Sequence, residues 1–266
     1  MIKLILAGCT RMWKDKIFWL TCTIMFIYGV LMLVKTNPNM PLEAIFFTFA
    51  VIIGIPIAAF CGMFIGTEYS DGTIRNKLIV GHSRCAVYLS NLIVNFIACI
   101  LIAFSYTVAM IVIGVPRLGF FEVSIGHILL YSFAAIMMIF ALAAIYTLLC
   151  LLITNKATAA VICVLVSFAL LFSSIRINSK LKEVKYSDGN MNIATTIQPL
   201  ETSQNDKIIS KEDVYQFLYD FVPNCQGMQI GMQNSNNLWM LPIYSASIIV
   251  VTSGLGIFLF RKKDLK

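Results

Sequence analysis

The stretch AIFFTFAVIIGIPIAAFCGMFIG, residues 44–66, leads across Thr67 into EYSDGTIRNKLIVGHSR, residues 68–84. The first part has no Asp, Glu, Lys, Arg or His. The second is the longest charged, glycine-punctuated interruption in the N-terminal two-thirds of the chain. About 20 helical residues cross the roughly 30 Å of bilayer hydrocarbon. Residues 44–66 therefore predict a membrane span, and 68–84 the polar connection that emerges from it. Five other runs lack Asp, Glu, Lys, Arg and His: Ile17–Val34, Leu92–Val115, Ile128–Ile153, Ala157–Ile175 and Leu238–Phe260. A buried helix of a soluble protein explains one such run, not six. The expected fold is an all-α integral membrane domain over 1–266, with transmembrane helices at 17–34, 44–66, 92–115, 128–153, 157–175 and 238–260.

Composition agrees. The 266 residues are 59% hydrophobic and 12% charged, with a mean hydropathy of +0.85. Soluble domains carry roughly 25% charged residues, so this chain has too few to coat a globule. The first run starts late, is followed by LVKTNPNM and shows no small-x-small site, so it reads as a retained span rather than a cleaved leader. No two cysteines are spaced CxxC, so neither a zinc site nor a redox pair is indicated. Cys22, Cys61, Cys99, Cys150 and Cys163 fall inside spans, where cysteine packs as a small hydrophobe.

Basic residues set orientation. Lys3, Arg11, Lys14 and Lys16 lie in the N-terminal tail, and Arg75, Lys77 and Arg84 follow span 2. Lys156 joins spans 4 and 5, and Arg261, Lys262, Lys263 and Lys266 close the chain. The short connections opposite hold only Lys35 and Arg117. Both termini and the 67–91 segment are thus expected in the cytoplasm, and 176–237 outside. The net charge of +7 reads as orientation and contact with anionic membrane lipid. No basic groove for nucleic acid is visible.

Residues 1–16 form an expected interfacial amphipathic helix, with Ile2, Ile5, Cys9, Met12 and Trp13 on one stripe. Span 2 carries small residues at every fourth position, Gly54, Ala58, Gly62 and Gly66, a face that lets membrane helices approach closely. Pro56 is expected to kink it. Span 3 is expected to end at Pro116. In the outer segment, Ser210 and Asp213 signal a helix start. Val214, Phe217, Leu218 and Phe221 then make one apolar face that Pro223 ends.

The absent chemistry narrows the function. There is no G-x-x-x-x-G-K-[ST], so no ATP hydrolysis is expected from this chain alone. His82 and His127 sit at span edges, and neither a nucleophile–base pair nor HExxH is present. No catalytic residue, metal site or cofactor is expected. No span carries a carboxylate, which argues against an acidic ion relay. What remains is a subunit powered from outside. Asp71-Gly72-Thr73 reads as a turn. Ile74 and Leu78 follow one helical turn apart, flanked by Arg75 and Lys77. Two readings suit that pattern: apolar knobs for a partner's groove, or a solvated connection whose Arg75, Lys77 and Arg84 bind lipid phosphates.

With Glu68, Gly72-Thr73, the amphipathic stretch 74–80, Ser83-Arg84 and Tyr88, the chain resembles the permease subunits of ABC-2 type exporters. The six-span layout, the N-terminal helix and the long segment before span 6 match as well. Asn91 stands where those permeases commonly have a basic residue, and His82 occupies a variable place. The resemblance implies that two permeases, the same or related, pair in a bacterial cytoplasmic membrane. Each then docks on a separately encoded ATP-binding subunit, which holds the ATP and magnesium. The segment after span 2 becomes the coupling helix, with Glu68, Asp71, Gly72, Thr73, Ile74, Arg75, Leu78 and Arg84 as the docking set. The cargo is expected to be amphipathic or apolar. An antimicrobial peptide is favoured, as in bacteriocin or lantibiotic immunity or bacitracin resistance. Lipid, polysaccharide or small-drug export, and a non-transporting immunity or scaffold protein, stay as alternatives.

Overall fold

The computed structural model describes residues 1–194, 213–235 and 237–263. Among them there is no strand. Helix α1, Ile2–Lys14, lies along the third span. A Cβ on Gly8 would come within 2.7 Å of Val94 Cγ2 there, so only glycine permits the approach. Asp15 adopts an extended conformation and caps α2, Lys16–Lys35, by accepting from the Ile17 N–H at 2.9 Å. At this elbow the Trp13 and Trp19 rings meet edge to face with centroids 5.1 Å apart, both largely exposed. That is the placement expected of aromatic side chains at a membrane surface.

The second span is broken into α3, Glu43–Phe46, α4, Phe49–Ile52, and α5, Gly54–Ser70. The Glu43–Ile52 part meets α5 at 41°. Pro56 accounts for the bend, one turn earlier than its own position: it has no N–H to return to the Ile52 carbonyl. At the upper break, the Tyr106 hydroxyl donates to the Ile45 carbonyl at 2.7 Å and lies 2.8 Å from Thr48 Oγ1. In hydrocarbon such side-chain partners are what make irregular backbone tolerable. Short α6, Thr73–Ile79, follows Gly72, whose φ of 67° is the left-handed conformation glycine adopts freely.

Helix α7 runs from Arg84 to Leu118 through a π turn at Met110–Gly114. It runs two residues past Pro116, where an end was expected; the proline stands in the turn that follows the π segment. Then come α8, Ile125–Leu152, α9, Lys156–Ala194, α10 over 213–221, α11, Pro223–Gly231, and α12, Met240–Lys262. Helices α2, α7, α8, α9 up to Val184, and α12 are each long and apolar enough to cross a membrane, and the bent second span makes up to a sixth. The most apolar window of α8 is 61% buried, against 22% for α9 and for α12. So α8 is the central post, and α9 and α12 turn broad faces outward.

The small-residue ladder packs inside the chain, against α9. A Cβ on Gly62 would lie 2.6 Å from Ala160 Cα, and one on Gly66 2.9 Å from Lys156 Cα. Ala58 is fully buried. Backbone thus meets backbone where spans 2 and 5 cross, which supplies van der Waals contact in a solvent with no hydrophobic drive between helices.

The outer segment has two notable features. Ser210 lies outside the described residues, and the apolar face expected on α10 is left largely open within the chain. Val214 and Phe217 are 55% and 51% exposed and Leu218 and Phe221 only half-buried, while Tyr219 and Asp220 are the buried pair. The reason is tertiary: Tyr219 packs on Leu181 and Cys225. The Phe217 and Phe221 rings stack, centroids 5.6 Å apart, and both abut Tyr244 of α12. Second, the chain does not stay outside the bundle. Helix α11, begun by Pro223, folds back among the spans with every residue buried. A Cβ on Gly227 would stand 2.3 Å from the Ala50 carbonyl oxygen, and one on Gly231 2.8 Å from Val51 Cγ2. Its two glutamine side chains are satisfied by neighbours. Gln226 donates to the Asp220 carbonyl and accepts from Ser245, and Gln229 donates to Asp220 Oδ1.

Candidate functional site

The polar joint of the molecule is the carboxylate of Glu68, in the last turn of α5 and 1% exposed. Three donors from three helices meet on it. Arg11 Nη1 of α1 is 2.8 Å from Oε1, Lys77 Nζ of α6 is 2.5 Å from the same oxygen, and Asn91 Nδ2 of α7 donates to Oε2 at 2.9 Å. The Thr73 hydroxyl donates to the Glu68 carbonyl at 3.0 Å. Arg11 also donates to the Phe64 carbonyl, and its guanidinium lies 3.9 Å from the centre of the Phe64 ring. Burial pulls the Arg11 pKa down and Glu68 raises it back. An arginine stays cationic throughout.

One buried anion facing two cations is stable only with good geometry and satisfied lone pairs. Glu68 has both, so α1, α5, α6 and α7 are tied to a single point. Asn91 is the neutral fourth member: a third cation there would overcharge the carboxylate.

The other predicted residues sort by face. Ile74 is 1% exposed and Leu78 packs against the core. The expected outward knobs therefore point inward, because Lys77 on the same helical face is held by Glu68. Positions 74, 77 and 78 form the inner side of α6. Asp71, Arg75, Asn76, Ile79 and Val80 are exposed, the last two at 72% and 77%. Gly72 makes the turn. Arg84 is engaged within the chain: its Nη1 donates to the carbonyls of Phe260, Arg261 and Lys263 at 3.3, 2.8 and 2.5 Å. It closes the C-terminal end of α12, where unpaired carbonyls attract a cation. Tyr88 lies on Gly256, whose added Cβ would collide with the phenol at 2.1 Å. Lys263 donates to the Leu151 carbonyl and to the Tyr69 hydroxyl, and burial lowers its pKa below the ordinary lysine value. The N-terminal helix, the post-span-2 segment, the span 4–5 hairpin and the end of α12 thus meet at one end of the bundle. Arg84→Ala is expected to cost about 2 kcal/mol of stability, as loss of charge-assisted hydrogen bonds does. Thermal unfolding in detergent and faster carboxypeptidase trimming of the C-terminus check it.

Among the described residues no group of three or more His, Cys, Asp or Glu side chains could hold a metal ion. An apolar groove of about 250 Å³ opens between Phe46, Phe49, Phe104 and Ile136 on the flank of the bundle. Together the spans and the charged joint define a helical multi-pass membrane protein with one structured polar end. No family model and no curated protein matches the chain.

Proposed function

We propose that the chain is the membrane-spanning subunit of an ATP-driven exporter of the ABC-2 type, with the α6 end in the cytoplasm. One observation carries the reading. Helix α6 is fastened by Glu68 to three other helices while its opposite face presents Ile79 and Val80, bare and flanked by Arg75. A seven-residue helix cannot be stable on its own. Held by a buried charge, it becomes a rigid knob, and a push on it moves spans 1, 2 and 3 together. The docking surface is Asp71, Arg75, Asn76, Ile79 and Val80, rather than Ile74 and Leu78. ATP and magnesium belong to the partner subunit, and a second permease completes the path. The chain itself performs no catalysis in this reading. The cargo is amphipathic or apolar, in keeping with charge-free spans, and an antimicrobial peptide is the favoured class.

Ile79→Asp with Val80→Asp tests this. Retention of a co-expressed ATP-binding subunit on purification is expected to fall at least roughly tenfold, as when a central apolar anchor is lost. The protein's own yield and melting temperature stay unchanged, because both side chains are already exposed. If the ATP-binding subunit never co-purifies with the native chain, the non-transporting immunity or scaffold reading takes its place.

A further inference from the structure

At the bend of the second span, three polar side chains from three helices converge on Gly54. A Cβ built there lies 3.3 Å from Ser167 Oγ, 3.5 Å from Tyr146 Oη and 3.7 Å from Asn224 Nδ2. Tyr146 of α8 and Ser167 of α9 are fully buried, and Asn224 of α11 is 3% exposed. Yet Tyr146 Oη, Ser167 Oγ and Asn224 Oδ1 each lack a hydrogen-bonding partner among the described residues.

Unpaired polar groups are costly anywhere out of water and more so at membrane depth. Apolar packing does not gather three of them around one glycine. The glycine keeps open the volume that any side chain at 54 would fill. None of the three side chains is charged at neutral pH, so the site does not suit an ion. Two hydroxyls that donate or accept, with an amide oxygen that accepts, suit a molecule with two donors and two acceptors. Buried waters make about three such bonds.

We propose that Tyr146, Ser167 and Asn224 form a buried site for one water molecule at the bend of span 2, joining α5, α8, α9 and the inserted α11. The water lets the bend change angle by exchanging hydrogen bonds instead of exposing bare polar groups to lipid.

The test is a thermal double-mutant cycle on the full-length protein in lipid nanodiscs. Tyr146→Phe and Ser167→Ala are each expected to lower the melting temperature by about 3 °C and to be coupled. Gly54→Ala places a methyl among the three polar atoms and displaces the water. It is expected to lower the melting temperature although alanine is the better helix former, and to abolish the Tyr146–Ser167 coupling. If Gly54→Ala does not fold, the coupling is read in Asn224→Leu, which removes the third ligand and abolishes it too. A dry site predicts the reverse: Tyr146→Phe, Ser167→Ala and Gly54→Ala all raise the melting temperature. A direct bond between the two hydroxyls predicts coupling that survives Gly54→Ala or Asn224→Leu. Either result overturns the proposal. So does a cryo-microscopy map that resolves other buried waters and shows no density within hydrogen-bonding distance of the three groups.

Discussion

Glu68→Ala is expected to destabilise the protein by about 3 kcal/mol, the lower end of the cost of breaking a buried ion pair. The lower end applies because the surviving charges are not sealed in: the Arg11 and Lys77 side chains are 31% and 18% exposed. They can swing toward water or lipid phosphate, whereas Asn91, 3% exposed, has no such escape. Thermal unfolding in detergent measures the loss. Limited trypsin digestion then locates it, since α1 and α6 share the joint and both come free. Cleavage after Arg11, Lys14 and Lys77 is expected to speed up together, while cleavage after Arg176 on α9 does not. Glu68→Gln keeps the side chain's size and an acceptor for Asn91 but loses the charge. It should fall between native and alanine in both measurements. Cleavage at Lys77 alone would show that α1 is held by its packing on α7 and not by Glu68. Export, on the proposed reading, is hit harder than stability: a knob on a loosened mount no longer moves three spans.

The spans were legible from the absence of charge, because a bilayer tolerates so little of it. Both ends of span 1 agree within one residue, Ile17–Val34 against Lys16–Lys35. The buried role of Glu68 was not legible, since a carboxylate at the end of an apolar run reads as a marker of the membrane surface. Nor was the orientation of α6. Apolar residues at 74, 78, 79 and 80 offer two faces a turn apart, and only the tether from Lys77 to Glu68 decides which turns inward. On α10 the buried side is likewise set by tertiary contact: Tyr219 packs on Leu181 and Cys225, and Phe217 is left outside. For α11 a signal was present: from Phe221 to Phe260 there is no Asp, Glu, Lys, Arg or His. Its glutamines masked it, because amides look like surface until their partners on Asp220 and Ser245 are known.

That insertion leads to the second large effect. Gly227→Val is expected to expel α11 from the bundle. The valine Cβ would stand 2.3 Å from the Ala50 carbonyl oxygen, 3.1 Å from its carbon and 3.2 Å from Met138 Sδ. The first two atoms are backbone of the broken second span and cannot rotate away. Overpacking of well-packed cores costs about 1–3 kcal/mol when side chains can adjust, and here the obstacle is main chain, so the upper end applies. Gly254→Ala is the control. Nothing lies within 4 Å of that position, and the substitution gains helix propensity of up to about 1 kcal/mol. Cys225 provides the readout, being fully buried on α11 in the native protein. A membrane-impermeant maleimide added from the α11 side is expected to leave Cys225 unmodified in the native chain and in Gly254→Ala, and to label it in Gly227→Val. Mass spectrometry of the Cys225 peptide separates it from Cys9 and Cys85, the two cysteines that are not buried. Equal protection in all three proteins would mean that the second span yields instead of α11. The bend beside Gly54, rather than the short inserted helix, would then be the softer part of the fold.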